Sequence, residues 1–303
     1  MVQNLIGSLS YSVFIYPLFV FVAILMFLFL FWRAIKHELF DEVLMLDTAV
    51  VATVGALLMS RIFEFIFQYE KFSWSYSKLV FFNKYGGVDF WGGLIGAGLF
   101  AYFFLRSKKI NFWYVADLAA APIAFAQAIV ALGKYIAVFA DSRINIYLYY
   151  FLGYVSIFFV LKVLARKKRH FGFFICFYVV SISALNMILF NFREEKTYIL
   201  KVVPYDLAAP AVFLIGAVCI WYLLSKRKLA RDLKGFFGRL LLGILKLFRT
   251  LTNMDEADRV SKAIVLSPYL LVLRLGAFLK LVGKEIVKSF SEFLYVLGVK
   301  KLK

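Results

Sequence analysis

Seven apolar runs, at residues 13–32, 43–68, 91–105, 112–139, 146–164, 171–192 and 206–224, dominate this chain. A helix needs about 20 such residues to cross the hydrocarbon of a bilayer. Strands of a membrane barrel would alternate polar and apolar residues, and these runs do not. At 63% hydrophobic and 19% aromatic over 303 residues, the composition is outside the range of soluble domains. The expected fold is therefore all-α, a seven-span polytopic membrane protein. The first run is too long for a signal peptide and lacks a small-residue cleavage site, so it reads as a retained helix.

Charge sets the orientation. The loops after runs 1, 3, 5 and 7 hold the concentrated cations: Arg33 and Lys36, Arg106 with Lys108 and Lys109, Arg166-Lys167-Lys168-Arg169, and Lys226-Arg227-Lys228. The opposite loops mix both signs. Positive charge stays on the cytoplasmic side, which places the N-terminus outside and the C-terminus inside. Residues 225–303 carry 17 Lys/Arg against 6 Asp/Glu, more than half of the chain's net +18. There Leu229, Leu233, Phe236, Leu240, Ile244, Leu247 and Leu251 recur at helical spacing, and Pro268 opens a second helical stretch. This reads as a basic amphipathic extension, either lying on the inner interface or packed as a cytoplasmic helical hairpin. Anionic lipid suits it better than nucleic acid. Two domains follow: 1–224 in the membrane and 225–303 at its cytoplasmic side.

Chemistry-bearing residues are few. Cys176 and Cys219 lie inside apolar runs, and His37 and His170 lie in short basic loops. No disulfide framework, metal site or cofactor motif can be drawn from them. Attention falls on Gly86-Gly87-Val88-Asp89-Phe90-Trp91-Gly92-Gly93-Leu94-Ile95-Gly96. Two glycine pairs flank an aromatic pair where a span begins. Gly92 and Gly93 let a neighbouring helix, or a lipid, approach the backbone. The first amides of that span lack intrahelical partners, which suits a phosphate. A polar and aromatic loop over 70–84 precedes it. Charges within spans are costly unless used. Arg61 lies three residues from Glu64 on one face, as an internal pair or as a cation for lipid phosphate, and Lys134 lies near the end of the fourth run. Pro122 predicts a kink there. Asp117 and Asp206 sit where they would cap helix starts.

These stretches resemble the signature of prolipoprotein diacylglyceryl transferases, which read Gly-Gly-x-Ser-Phe-His-Gly-Gly-Leu-Ile-Gly, then a basic turn and Val-Ala-Asp. Here the same places hold Asp89-Phe90-Trp91-Gly92-Gly93-Leu94-Ile95-Gly96, Arg106-Ser107-Lys108-Lys109 and Val115-Ala116-Asp117. Arg61-Ile62, Tyr16, Asn191-Phe192-Arg193-Glu194 and Tyr205-Asp206-Leu207 with Pro210 resemble further family positions, so that residues 10–225 are covered. The resemblance implies transfer of a diacylglyceryl group from phosphatidylglycerol to the thiol of a lipobox cysteine in a preprolipoprotein, in a bacterial cytoplasmic (inner) membrane. It implies no cofactor.

The resemblance also marks departures. Trp91 replaces the signature histidine, Ala131 an arginine, Phe139 a glutamate and Asn186 an arginine, and the external segment between the fourth and fifth spans is shortened around Asp141. The phosphatidylglycerol-binding set is then Tyr16, Arg61, Gly92, Gly93, Lys134 and Arg193, with Lys134, one turn from the replaced arginine, substituting for it, and Asp89, where the family has serine, is the candidate base for the thiol. Asp89 also suits a structural pair with Lys134. Two readings stand: a transferase, or a non-catalytic membrane protein that binds an anionic phospholipid or a lipoprotein on the same scaffold. A transporter would require an inverted repeat, and none is apparent.

Overall fold

The computed structural model describes residues 2–38, 41–67, 89–138, 145–193, 197–199 and 203–225, with a few positions between 276 and 291. Within the first helix, burial is described from Ile15 on. The 70–84 loop, the Gly86-Gly87 turn, Phe139, the link around Asp141, residues 194–196 and most of the 225–303 extension lie outside the described residues.

Among the described residues the seven apolar runs become seven helices. They are α1 (Val2–His37), α2 (Glu42–Phe67), α3 (Phe90–Ser107), α4 (Phe112–Val138), α5 (Ile146–Leu164), α6 (Phe173–Leu189) and α7 (Tyr205–Ser225). All seven are long and apolar enough to span a bilayer, α6 with a 3₁₀ turn at Phe190–Phe192. The protein is a multi-pass membrane protein. Helix α1 runs through Pro17 and starts well before its apolar run. A two-stranded antiparallel ribbon, β1 (Tyr198–Ile199) with β2 (Val203–Pro204), pairs Tyr198 with Pro204 just before α7. Strands this short carry no periodicity to read in a sequence.

The chain divides into two compact units, Met1–Leu161 with Lys167–Leu224, and Lys162–Arg166 with Ser225–Lys303. In the second, the described positions between 276 and 291 are helical.

Within the first unit, α4 packs against both α1 and α6. Ala120, Ala124, Ala128 and Ala131 are all buried at helical spacing, a small-residue face that lets neighbours come close. Gly133 continues it: a Cβ there would meet Phe19 Cβ of α1 at 2.4 Å. Helices α2 and α3 pair through glycine. A Cβ on Gly96 would meet the Gly55 carbonyl oxygen at 2.1 Å, and one on Gly55 would meet Gly96 O at 2.7 Å. Backbone lies against backbone there, and the Phe100 and Met59 side chains pack on the same two glycines.

Asp117 caps, but not its own helix. Its carboxylate accepts from Gly172 N (2.7 Å) and Ile175 N (2.9 Å), the unpartnered amides at the start of α6. Gly172 is in the left-handed region at φ 82°. Asp206 likewise serves the chain before its helix, taking Thr197 N at 2.8 Å.

Candidate functional site

The site residues gather where α3 begins and where α4 and α6 end. Asp89 is the N-cap of α3, and its carboxylate accepts from Gly92 N at 2.5 Å. Tyr205 at the start of α7 donates its hydroxyl to the other oxygen at 2.7 Å, and the Asp89 amide binds Ser60 O of α2. One residue thus joins three helices, α3 and α7 through its carboxylate and α2 through its backbone amide. It fills the anion position that the free amides offer, the position expected to suit a phosphate. Burial raises its pKa above the ordinary carboxylate range, while the Gly92 amide and the Tyr205 hydroxyl oppose the rise. The expected pair with Lys134 does not form, because both Asp89 oxygens are satisfied locally.

Lys134 instead lies among aromatic rings, with Nζ 5.6 Å from the ring centroids of both Tyr16 and Tyr147. Tyrosine faces attract a cation and leave its positive charge in place. No carboxylate pairs with it among the described residues. Its charge is instead felt by a second cation, Arg193.

Arg193 follows the 3₁₀ turn and is held on every side. Nη1 donates to Asp206 Oδ1 at 2.5 Å, Nη2 to the Tyr150 hydroxyl at 2.8 Å and to Asn186 Oδ1 at 3.0 Å, and Nε to Tyr150 at 3.1 Å. The side chain keeps 27% of its surface exposed. Asn186 is fixed in turn by its Nδ2 bond to Ile182 O at 2.8 Å. Ala131 packs beside Tyr150 and Leu189. The guanidinium of Arg193 therefore bonds Asn186, and its partner Tyr150 packs on Ala131.

The remaining residues fall into the packing around this cluster. Arg61 and Glu64 are both buried, at 2% and 3% exposure. Gly92 is enclosed: a Cβ would meet Phe63 Cβ at 2.5 Å and Met59 O at 2.8 Å. Gly93 is looser, its nearest neighbours being Ser60 Cβ at 3.5 Å and Ala56 O at 3.6 Å. Trp91 is buried in the main core with Ala120, Ile157, Tyr178 and Tyr205, its ring 4.5 Å from Phe213. Lys134, Arg193 and Tyr16 are thus brought together, and Asp89 joins them through Tyr205 and its neighbour Asp206. The sequence reading misses Tyr147 and Tyr150 as site residues, and reads Tyr205 only as a resemblance, without its bond to Asp89. Tyr147 and Tyr150 share one helix face at a spacing of three, which is a readable signal. Among the described residues no group of three or more His, Cys, Asp or Glu is arranged to hold a metal.

A model of the family described as prolipoprotein diacylglyceryl transferase matches residues 4–222. A phosphatidylglycerol–prolipoprotein diacylglyceryl transferase of Listeria monocytogenes serotype 4a (strain HCC23) is 31% identical over 130 residues, 43% of this chain and 46% of that protein. Proteins of the same name from Bacillus mycoides (strain KBAB4) and Bacillus cereus (strain B4264) are each 33% identical, over 90 and 89 residues, covering 30% and 29% of this chain and 33% of each relative. The matched stretch spans less than half the length of these curated relatives.

Proposed function

This chain belongs to the prolipoprotein diacylglyceryl transferase family, and from that premise we propose that it moves a diacylglyceryl group from phosphatidylglycerol to the thiol of a lipobox cysteine in a preprolipoprotein. The observation that carries the reading is a pair of cations at one end of the bundle, Lys134 in its tyrosine cage and Arg193 on its hydrogen-bonded mount. Together they hold the lipid phosphate, with Tyr16 orienting Lys134, Gly93 giving close approach to α3, and Arg61 as a further buried positive charge. The thiol yields its proton to Asp89, with Tyr205 adjusting its hydrogen bond to the carboxylate. The sulfur then forms a bond to the glyceryl carbon as that carbon's bond to the phosphate ester oxygen breaks. Glycerol phosphate leaves, its new charge balanced by Lys134 and Arg193.

A second reading, lipid or lipoprotein binding without transfer, is favoured by one observation: both oxygens of Asp89 are already engaged inside the protein. The proposed setting for either is the bacterial inner membrane, N-terminus outside, with 225–303 as a separate basic domain at the inner interface.

The test uses purified full-length protein, phosphatidylglycerol vesicles and a lipobox peptide followed by mass. The expected result is a peptide heavier by one diacylglyceryl group, formed about 10- to 100-fold more slowly by Lys134→Ala, the loss expected for one charge-assisted contact. No adduct, with phosphatidylglycerol still bound, overturns transfer in favour of binding. An unchanged rate in Lys134→Ala removes that lysine from the phosphate site.

A further inference from the structure

We infer that the turn between α3 and α4, at the end of the bundle remote from Asp89, is a second phospholipid site that takes the phosphate of an anionic glycerophospholipid from the adjacent leaflet. Eighteen residues of α3 separate the two ends, about 27 Å at 1.5 Å per residue. A cavity of about 280 Å³ opens there, lined by Tyr102, Arg106, Lys109, Asn111, Phe112 and Trp113 among others.

Its construction is unusual at one residue. Helix α3 ends in a Schellman turn, with Lys109 N donating to Arg106 O at 3.1 Å and Ile110 N to Leu105 O at 3.0 Å. The residue between those bonds must be left-handed, and glycine is the usual occupant. Here it is Lys109, at φ 58°. A side chain is carried at a backbone cost that glycine would avoid, and that side chain lines the cavity. Arg106 lines it too, its Nη1 donating to the Tyr102 hydroxyl at 3.2 Å. Neither cation has a carboxylate partner among the described residues. Asn111 uses its oxygen to bind Trp113 N at 3.0 Å, which leaves its amide hydrogens as donors.

Two unneutralised cations and an amide specify an anion, and the surroundings specify a lipid. Tyr102 and Trp113 are of the aromatic types that settle at the level of lipid headgroups. Below them on α3, Leu99 (40%) and Phe103 (64%) stand exposed one turn apart, an apolar track for an acyl chain leading away from the basic mouth. A soluble phosphate would use the cations and leave this track idle.

The test is photolabelling of the full-length protein in phosphatidylcholine vesicles containing a photoactivatable phosphatidylglycerol, with the labelled peptide mapped. Label is expected at residues 99–113, competed by phosphatidylglycerol and unaffected by inorganic phosphate. It should fall about fivefold for each cation removed in Arg106→Ala and Lys109→Gly. Lys109→Gly should also raise the unfolding temperature, by about 2–4 °C, as the strain is released, so its lost label cannot be ascribed to misfolding. Lys134→Ala should keep this label, which separates the site from the one proposed for transfer. Labelling unchanged in the Arg106→Ala/Lys109→Gly protein, or label displaced by inorganic phosphate, overturns the inference.

Discussion

At the scale of single residues, the informative fact is what Asp89 does with its charge. A carboxylate at a helix start is worth about 1 kcal/mol as a cap, but this one is buried, and burial raises its pKa. The folded protein therefore keeps the proton to higher pH than the unfolded chain does. The stability so gained is complete below the unfolded value, about 3.9, and is lost as pH rises through the raised one. An Asp89→Asn protein lacks this titration. The unfolding temperature of the native protein minus that of Asp89→Asn, measured in detergent across the acid range, should fall with rising pH, and transfer activity should rise over the same range. A difference that stays flat would show that Asp89 does not titrate there. The same scale explains why the sequence misassigned its partner. Spacing along α3 and α4 allows an Asp89–Lys134 pair, but the choice between a distant ammonium and a local Gly92 amide is made by backbone geometry at the cap.

Between elements, the close contact of α2 with α3 depends on the absent Cβ atoms of Gly55 and Gly96. Gly96→Ala must push its new methyl against the Gly55 carbonyl, displacing a helix at a cost of about 1–3 kcal/mol. Gly93→Ala meets nothing closer than 3.5 Å and should leave stability unchanged. Thermal unfolding of the two proteins should differ accordingly. If Gly93→Ala is stable yet loses phosphatidylglycerol binding, Gly93 serves the lipid rather than the packing. The positions of the helices were legible in the sequence, because a bilayer demands uninterrupted apolar length and each run supplies it. Legibility failed where a few residues decide. The 198–204 ribbon is too short for a pattern, and Asp117 was expected to cap its own helix because nothing in the sequence shows that α6 lies alongside with bare amides.

For the molecule as a whole, seven helices among the described residues are long and apolar enough to span a bilayer, and the proposed orientation rests on charge asymmetry. Single cysteines at Ser107 and Asn145, in a background lacking Cys176 and Cys219, should react with impermeant maleimide from opposite sides: Asn145→Cys in intact cells, Ser107→Cys only after the membrane is opened. The reverse pattern would invert the orientation and, with it, the leaflet assigned to each lipid site.

One consequence follows from Asp117. By gripping the first turn of α6 from α4, it acts as a pivot at the end remote from Arg193. Sliding of α6 along its neighbour would break both grips, whereas swinging about them breaks neither. From Gly172 to Asn186 is roughly 21 Å of helix, so a tilt of about 5° displaces the far end by roughly 2 Å. Rocking about Asp117 would therefore shift Asn186, and with it the mount of Arg193, while leaving the Asp117 end in place.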